Sequence, residues 1–489
     1  YAEATHLTNI GGSNFSFGVD TSNASAPADW NDSGKIYIST SSSGRRFKQD
    51  TTESTIDTAS HTGDVLQVAY DADNQKLYLG INNTWYNSSL GTNGDPSAGS
   101  NPTRTSISNG FLALSVYNAT GSFNAGQRPF SFTAPTNFLA LNTANLPTPT
   151  IADGSTAFDV LLYTGDGQSS KAVTGYGFSP DFLWIKERSS SSDHGLWNTV
   201  VGSGKYMSSN LTDAEYTTTT ELSSIDSAGF TVGSSGMTNQ SSQTYVAWAW
   251  DAGSSTVTNT DGSITSSIRA SQSAGCSIVK WAGTASVGTV GHGLGATPGW
   301  VIVKSLGNAR EWVVWHSSFG TANNTDYLYL DTTGAKGGSG PGGYWNQTAP
   351  TTTTFSVGDS AAVNGSGSDY IAYCFAPVAN YSSMGSFIGN GSTDGPFVFT
   401  GFRPAWLLVK RTSSSEQWAI WDDARDTANP TDDLLWANST SYDPDSVHDV
   451  DFLSNGFKVR GTHVMLNGSG DTYAYVAFAS HPFQAARAR

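Results

Sequence analysis

The residues of this sequence that could bind a metal ion are aspartates, which are concentrated in a few polar stretches. Asp71 and Asp73 precede Asn74, and two further runs lie near the end of the chain: Asp422, Asp423, Asp426, Asp432 and Asp433, then Asp443, Asp445, Asp449 and Asp451. Oxygen-rich loops with alternating Asp can bind Ca²⁺, but the ligand spacing of an EF-hand is missing. Aspartate also stabilises tight turns. We expect solvated loops, with Ca²⁺ at Asp71, Asp73, Asp443, Asp445 or Asp449 as the weaker alternative.

Recognisable catalytic motifs are missing from the sequence. It contains no G-x-S-x-G, H-E-x-x-H or P-loop pattern, and its eight histidines are scattered without partners at ligand spacing. A glycosidase would need two carboxylates that face each other across a cleft. Among 40 acidic residues the sequence singles out no such pair. We therefore predict no catalytic residue and no cofactor, and keep an enzyme as an alternative.

Charge and cysteine content limit the partners and the chemistry further. The formal net charge is −16, which repels nucleic acid and anionic membranes. No apolar run approaches the roughly 20 residues that span a bilayer. We predict neither nucleic-acid binding nor membrane insertion. Cys276 and Cys374 lie in apolar segments, where two buried free thiols are favoured and a disulfide is the alternative.

One pattern of aromatic residues and prolines occurs three times from Tyr163 onward. Each copy opens with an aromatic-x-Gly triplet, and a proline, a lysine, a tryptophan and a tyrosine follow at similar offsets. The openings are Tyr163, Trp281 and Phe387; the prolines are Pro180, Pro298 and Pro404; the lysines are Lys186, Lys304 and Lys410; the tryptophans are Trp197, Trp315 and Trp421; and the closing tyrosines are Tyr245, Tyr370 and Tyr475. Self-similarity at a fixed period indicates a repeat architecture, which favours a structural or binding protein over a single-site enzyme.

The elements that carry this pattern are predicted to be strands. Abundant Gly, Ser, Thr and Asn with 12% aromatic residues favour short strands joined by turns. The run after each proline, such as Phe182 to Ile185, is continuously apolar, which indicates a strand that is covered on both faces. We therefore predict that a neighbouring module or another subunit packs on its outer face. The repeated tryptophans are expected in cores and the repeated lysines at solvated strand ends.

The predicted fold class is all-β, with tandem β-sandwich modules. The predicted organisation is a first sandwich at 1–142, a linker at 143–157, repeat 1 at 158–253, a linker at 254–274, repeat 2 at 275–378, a linker at 379–384, repeat 3 at 385–483 and a tail at 484–489. The polar and proline-containing composition of the three linkers sets these boundaries.

The first part of the chain resembles SPRY domains. Residues 63–74, followed by 76–79, resemble the central hairpin of these concanavalin-like β-sandwiches. Residues 124–130 and 143–151 are similar to the closing strand and the linker of SPRY domains in bacteriophage tail proteins. The three repeats, with residues 259–264 and 394–398, resemble the C-terminal region of such proteins in marine phages. The resemblance implies a virion tail fibre or tail-associated adhesin without catalytic residues.

The resemblance also implies partners and a location. It predicts attachment to a host-surface glycan or protein, a homotrimer in the virion, and further residues before Tyr1 that bind other tail proteins and complete the first sandwich. Loops on rigid β scaffolds carry recognition, so the candidate glycan contacts are the loop aromatics Trp85, Tyr86, Tyr344 and Trp345. The alternatives are a glycan depolymerase of the tailspike type and a purely structural appendage or decoration protein.

Overall fold

The protein is all-β, as the sequence predicts. The computed structural model describes residues 1–21, 35–49, 51–107, 111–141, 145, 150–319, 325–442 and 449–479. Within them, helix is limited to two single turns and two short 3₁₀ segments, Gly154–Thr156 and Ser317–Phe319. No helix in these ranges is long and apolar enough to cross a membrane. The chain divides into two compact units, Tyr1–Pro147 and Thr148–Arg489.

The first unit contains one nine-stranded antiparallel sheet system. Its strands are β1 (Ala2–Asp20), β2 (Lys35–Ser41), β3 (Gly44–Gln49), β4 (Thr52–Thr55), β5 (Val65–Asp71), β6 (Lys76–Ile81), β7 (Thr84–Tyr86), β8 (Arg104–Thr105) and β9 (Phe111–Asn124). The long β1 pairs with β2, β5 and β9 along different parts of its length. Phe15, Phe17, Leu66 and Leu79 are fully buried in its main core.

The hairpin predicted at residues 66–79 is present. Strands β5 and β6 are antiparallel, with Asp71 opposite Lys76. The Asp71 carboxylate accepts hydrogen bonds from the backbone N–H and the side-chain amide of Asn74, at 3.0 and 2.8 Å. Asn82 and Asn83 have φ values of 49° and 65°, the left-handed conformation that a two-residue hairpin turn requires at both central positions. Asparagine tolerates it better than most residues.

The second unit contains the three copies of the sequence pattern. Copy 1 has β10 (Phe158–Thr164), β11 (Lys171–Thr174), β12 (Phe182–Glu187), β13 (Gly195–Asn198), β14 (Lys205–Tyr206), β15 (Tyr216–Thr217), β16 (Leu222–Asp226), β17 (Gly229–Val232), α1 (Gly236–Asn239) and β18 (Thr244–Trp250). Copy 2 has β19 (Thr256–Asn259), β20 (Ser266–Ser271), β21 (Cys276–Ala282), β22 (Gly288–Gly291), β23 (Trp300–Ser305), β24 (Val313–His316), β25 (Asp326–Tyr329), β26 (Gly337–Gly338), β27 (Thr354–Val357) and β28 (Asp369–Phe375). Copy 3 has β29 (Ser382–Ile388), β30 (Asp394–Phe399), β31 (Trp406–Arg411), β32 (Trp418–Asp422), β33 (Leu435–Trp436), β34 (Val450–Leu453), β35 (Gly456–Arg460), α2 (Val464–Asn467) and β36 (Thr472–Phe478).

The three copies share one strand order. The inner sheets run β10-β18-β12-β13 in copy 1, β21-β28-β23-β24 in copy 2 and β29-β36-β31-β32 in copy 3. The second sheets pair β11 with β17, β22 with β27 and β30 with β35. Each copy thus places its first, last and proline-led strands side by side in the inner sheet. Strand pairing repeats where the sequence pattern repeats.

The opening aromatic-x-Gly triplet has a packing explanation. In each copy the aromatic ring stacks on the tyrosine of the closing strand: Tyr163 on Tyr245 at 5.0 Å, Trp281 on Tyr370 at 5.6 Å and Phe387 on Tyr473 at 5.0 Å between ring centroids. A Cβ atom on the glycine would come within 2.2, 2.0 and 2.3 Å of a backbone carbonyl oxygen at Gly165, Gly283 and Gly389. Only glycine fits this close backbone approach.

The closing tyrosine predicted for copy 3 is corrected by these contacts. Tyr473, not Tyr475, pairs with Phe387 across the sheet, as Tyr245 and Tyr370 do with their opening aromatics. The Tyr473 hydroxyl donates to Val464 O, at the position where the Tyr245 hydroxyl donates to Gly236 O. Tyr475 lies two residues further along the same face of β36, so the sequence pattern Tyr-x-Ala matched the wrong tyrosine.

The continuously apolar strands are covered on both faces, as predicted. All six residues of β12 and of β23 are buried. In β12, Leu183 and Ile185 pack in the sandwich core of copy 1, whereas Phe182 and Trp184 belong to a second core that includes residues of all three copies. A neighbouring copy therefore provides the cover.

The shared core is aromatic at its centre. Trp250 of copy 1 lies 6.0 Å from Phe375 of copy 2, and 5.6 and 5.8 Å from Trp406 and Phe478 of copy 3, between ring centroids. All four side chains are at most 1% exposed. The three tandem copies therefore pack into one compact unit.

Two of the predicted linkers contain strands. Residues 254–274 include β19 and β20, which extend the copy 2 sheet through antiparallel pairing with β21, and β29 begins inside 379–384. Their hydroxyl-rich composition reflects strands near a solvated sheet edge. The division between the two units falls within 143–157, and the tail at 484–489 lies outside the described residues. Cys276 and Cys374 are buried free thiols on the neighbouring strands β21 and β28.

Candidate ligand-binding groove

The loop aromatics predicted as glycan contacts are mostly buried, so that prediction is corrected. Trp85 and Tyr86 form most of β7 and are 8% and 5% exposed, and Trp345 is 1% exposed. Trp85 packs 6.3 Å from Tyr1 on the second face of the β5–β6 hairpin. Tyr344 is half-buried, and its hydroxyl is hydrogen-bonded to the Tyr329 hydroxyl. These rings hold their own loops in place.

The aspartate candidates among the described residues, Asp71, Asp73 and Asp449, are not part of a group of acidic side chains that could hold a metal ion. The Asp71 carboxylate accepts the backbone N–H of Asn74 within the turn, and Asp73 is an exposed residue of the same turn. Asp443 and Asp445 lie outside the described residues. Burial, followed by the charge of Asp451, raises the pKa of Asp449. We therefore assign none of these residues to Ca²⁺.

One aspartate cluster of copy 3 does bring carboxylates together. Single oxygens of Asp426, Asp432 and Asp433 lie within 4.8 Å of one another. One Asp426 oxygen already accepts the backbone N–H groups of Asp432 and Asp433, both at 2.7 Å. Asp433 forms an ion pair of 3.3 Å with Arg188 of copy 1. These bonds explain the cluster as part of a loop and of the contact between copies.

The repeated lysines are fully buried, contrary to the expectation of solvated strand ends. Lys304 donates to the carbonyl oxygens of Thr212 in copy 1 and Arg310 in its own copy, at 2.8 and 2.7 Å. Lys410 donates in the same way to Thr333 of copy 2 and Glu416 of its own copy, at 2.9 and 2.6 Å. Burial lowers the pKa of Lys304 to about 8 and that of Lys410 to about 7. Lys304 and Lys410 therefore each tie their copy to a loop of the preceding one.

A second repeated contact closes the three copies into a ring. The side chain three residues before each repeated tryptophan reaches a carbonyl oxygen of another copy. Trp312 donates to Ser208 O at 2.9 Å, Trp418 donates to Tyr329 O at 2.8 Å, and His194 Nε2 lies 3.0 Å from Trp436 O. The Trp184 indole N–H donates to His194 Nδ1. The proton of neutral His194 is therefore on Nε2, which donates to Trp436 O.

The contact between copies 1 and 2, which we call seam 1–2, contains a polar groove. Its larger part is a cavity of about 440 Å³ whose wall includes Lys205 and Glu215 of copy 1 and Lys280, Ser368 and Asp369 of copy 2. A smaller cavity of about 190 Å³ shares Lys280 and Asp369 and adds the hydroxyls of Thr258, Thr265, Ser266 and Ser267. The two cavities share Lys280 and Asp369, and residues with hydroxyl, ammonium and carboxylate groups are among those that line them.

Two ion pairs define the electrostatics of this groove. Lys205 Nζ lies 2.6 Å from Glu215 Oε1, and Lys280 Nζ lies 2.9 Å from Asp369 Oδ2. The Glu215 side chain is only 9% exposed, whereas Lys205 is 44% exposed. The second oxygen, Glu215 Oε2, is buried without a hydrogen-bond partner. The four charges cancel, so the groove suits a polar ligand of low net charge.

The first unit has a cavity of its own, of about 800 Å³. Its wall includes the turn at 71–74, the loop at 96–99 and the segment at 137–141, with the rings of Tyr1 and Tyr70. It lies at the loop end of the β5–β6 hairpin. The wall combines apolar rings with the carboxylates of one turn, without the paired charges of the groove in the second unit.

A buried asparagine is the repeated functional group that the sequence pattern missed. Asn239 and Asn467 end α1 and α2, Asn364 lies in the equivalent turn of copy 2, and all three are fully buried. The Asn364 amide donates to Thr284 Oγ1, Ser286 O and Gly358 O, and its oxygen accepts the Thr284 N–H. Each asparagine stands six residues before the stacked tyrosine of its copy. That spacing also identifies Tyr473 as the third tyrosine.

The chain belongs to the family described as domain of unknown function (DUF7483), whose model matches residues 153–482. The match spans all three copies, in keeping with the single compact unit that they form. No curated protein matches the chain.

Proposed function

For this member of a family without an assigned function, we propose a role as a virion attachment protein: a tail fibre or tail-associated adhesin that binds a host-surface glycan. The observation that carries the proposal is the polar groove at seam 1–2, which is lined by Ser and Thr residues and by two ion pairs. Sugars are recognised by such convergent polar groups on a preformed surface. The resemblance of the first unit to phage SPRY domains supports the virion setting.

The scaffold suits binding because its large aromatic side chains are buried and make it rigid. The twelve largest side chains that are almost fully buried are all Trp or Tyr, and they hold the sheets and copies together. Loops and seams on such a framework lose little conformational freedom when a ligand binds. Binding through polar groups, not through the loop aromatics named from the sequence, is therefore the proposed mode.

The depolymerase alternative is weaker at this groove. Glu215 and Asp369 are carboxylates from two copies that line one cavity, as a glycosidase would require. Each is paired with a lysine, at 2.6 and 2.9 Å. A glycosidase needs both carboxylates directed at the scissile bond, whereas one oxygen of each is already bound to a lysine. We propose glycan binding without cleavage.

The experiment combines binding, turnover and location. Purified chain labelled with a fluorophore should bind host cells, and excess host-surface polysaccharide should compete. The same polysaccharide should keep its chain length during incubation, as measured by gel filtration. Antibody labelling of particles should place the chain at a tail or fibre tip. Shortening of the polysaccharide would establish the depolymerase instead. If the chain did not bind host cells and the antibody labelled another part of the particle, a purely structural component would be favoured.

A further inference from the structure

The seams between copies have equivalent positions, which allows one seam to be compared with another. Glu215 N donates to Leu306 O at seam 1–2, and Lys336 N donates to Thr412 O at the contact between copies 2 and 3, both at 3.0 Å. Leu306 and Thr412 each follow the repeated lysine by two residues. Glu215 and Lys336 are therefore structural equivalents, and so are their surroundings.

The ion pair at this position is reversed between the two seams. Lys205 pairs with Glu215 at seam 1–2, whereas Asp326 pairs with Lys336 at the next seam, at 2.6 and 2.5 Å. Lys205 stands two residues before Met207, and Asp326 stands two residues before Leu328. Both Met207 and Leu328 pair with the inner sheet of their own copy. Each pair lies within one copy, and the same backbone hydrogen bond crosses the seam with either polarity, so the fold does not require a carboxylate at position 215.

The second ion pair of the groove is specific to copy 2. Lys280 and Asp369 neighbour the stacked pair Trp281 and Tyr370. The positions that neighbour the equivalent pair in copy 3 are occupied by Ser386 and Thr472, which cannot form an ion pair. Seam 1–2 thus combines the buried carboxylate of Glu215 with a half-buried ammonium and an exposed carboxylate. The next seam offers an exposed lysine and no equivalent of the second pair.

The free oxygen of Glu215 identifies what the ligand must supply. Glu215 Oε1 binds Lys205, but Oε2 has no partner. A buried carboxylate oxygen without a donor costs free energy, and a donor that reaches it recovers that cost. Lys205 is 44% exposed and can move aside. Lys280 and Asp369, 35% and 48% exposed, remain available to hydroxyls of the same ligand.

We propose that the groove at seam 1–2 binds an amino sugar, whose ammonium group donates to Glu215 while its hydroxyls contact Lys280 and Asp369. This inference rests on the proposed glycan-binding function and specifies its site and sugar class. An ammonium complements the unpaired carboxylate oxygen and the net charge of −16 of the chain. The reversed pair at the next seam presents an ammonium in place of that carboxylate, so it does not bind the same group.

The test is a ligand-observed NMR titration of the whole chain with D-glucosamine, with methyl α-D-glucopyranoside and D-glucuronate as comparison sugars. We expect glucosamine to bind most tightly and E215Q to weaken it about tenfold or more, because a hydrogen bond to a charged group is replaced by one to a neutral amide. The double variant D326N/K336Q, at the equivalent positions of the next seam, should bind like the wild type. D369N should weaken binding by a smaller factor.

Several outcomes separate this inference from the function on which it rests. Urea unfolding of E215Q shows whether the variant is folded, and D369N tests the groove independently. The assignment is overturned if the wild type does not bind glucosamine in the titration, or if folded E215Q and D369N both bind it like the wild type. If the wild type binds host cells while E215Q and D369N bind glucosamine like the wild type, the adhesin role is retained and its binding site lies elsewhere. Groove binding without cell binding would overturn the adhesin role alone.

Discussion

Trp250 offers the most direct test of the shared core, because its ring contacts aromatic rings of all three copies. It stacks 5.0 Å from Phe182 in its own copy and makes edge contacts with Phe375 of copy 2 and with Trp406 of copy 3. Its indole N–H has no hydrogen-bond partner, so W250A removes packing and leaves no partner unpaired. We expect the variant to destabilise copies 2 and 3 as well as copy 1.

The magnitude follows from burial. A buried Trp→Ala substitution costs about 3–5 kcal/mol, and this ring is 1% exposed. Each aromatic pair adds about 0.5–1.5 kcal/mol beyond its area. Since these terms overlap, about 5 kcal/mol is the expected loss. That is a large part of the roughly 5–15 kcal/mol that stabilises a typical protein.

The assay is hydrogen exchange with mass spectrometry across a urea series, which follows each copy separately. Peptides from β18, β28 and β36 should unfold in one transition in the wild type and at the same lower urea concentration in W250A. The exposed substitution V257T, at a side chain that is 51% exposed, should leave all three unchanged. If peptides of β28 and β36 kept their wild-type midpoint while β18 lost protection, the argument for one cooperative core would be refuted.

Four further expectations follow from the repeated contacts. Burial lowers the pKa of Lys410 to about 7 in the folded chain, against an ordinary 10.5. The unfolded chain therefore binds more protons above pH 7, and the free energy of unfolding should rise by about 2 kcal/mol from about pH 7 to about pH 9. In urea titrations K410M should remove this part of the rise, whereas K458M should not. G283A should lower the urea midpoint clearly, because its Cβ would meet a carbonyl oxygen at 2.0 Å, while G340A, with no atom within 4 Å, should not. N364A should cost about 3 kcal/mol of unfolding free energy, since four groups of Thr284, Ser286 and Gly358 lose a hydrogen-bond partner; an unchanged midpoint would contradict the anchoring role. The homotrimer expectation predicts a light-scattering mass of three times 51.5 kDa, and a monomer across the concentration range would reject it.

The parts of the fold that the sequence predicts are those that depend on nearby residues. The turn at Asp71 to Asn74 and the hairpin around it follow from side chains that hydrogen-bond their own backbone. The continuously apolar strands also revealed that both of their faces are covered, because burial on two sides leaves a direct mark on residue type.

The errors arise where a partner comes from a distant part of the chain. Lys304 looks like a solvated strand end, yet its ammonium is held by a carbonyl of Thr212, a residue of another copy. Trp85 looks like a loop residue because β7 is only three residues long, but the second face of the β5–β6 hairpin covers it. In both cases the covering residues are distant in sequence, so the local composition does not reveal the burial.

The misplaced tyrosine of copy 3 has a different cause. Side chains on a strand alternate with a period of two, so Tyr473 and Tyr475 face the same side and fit the same apolar pattern. Apolar spacing alone cannot distinguish registers that differ by two residues. The buried asparagine does distinguish them, because Asn467 binds one particular loop and stands at a fixed distance from Tyr473.

Fusion of three copies in one chain has a consequence for binding. In a symmetric trimer of separate chains, every seam would carry the same residues, because each substitution appears three times. In the fused unit the seams can diverge while the contacts that hold them, such as those of Lys304 and Lys410, stay the same. The reversal from Lys205–Glu215 to Asp326–Lys336 is such a divergence at a position where the backbone bonds are unchanged. A ligand site can therefore evolve at one seam without a cost to the other two.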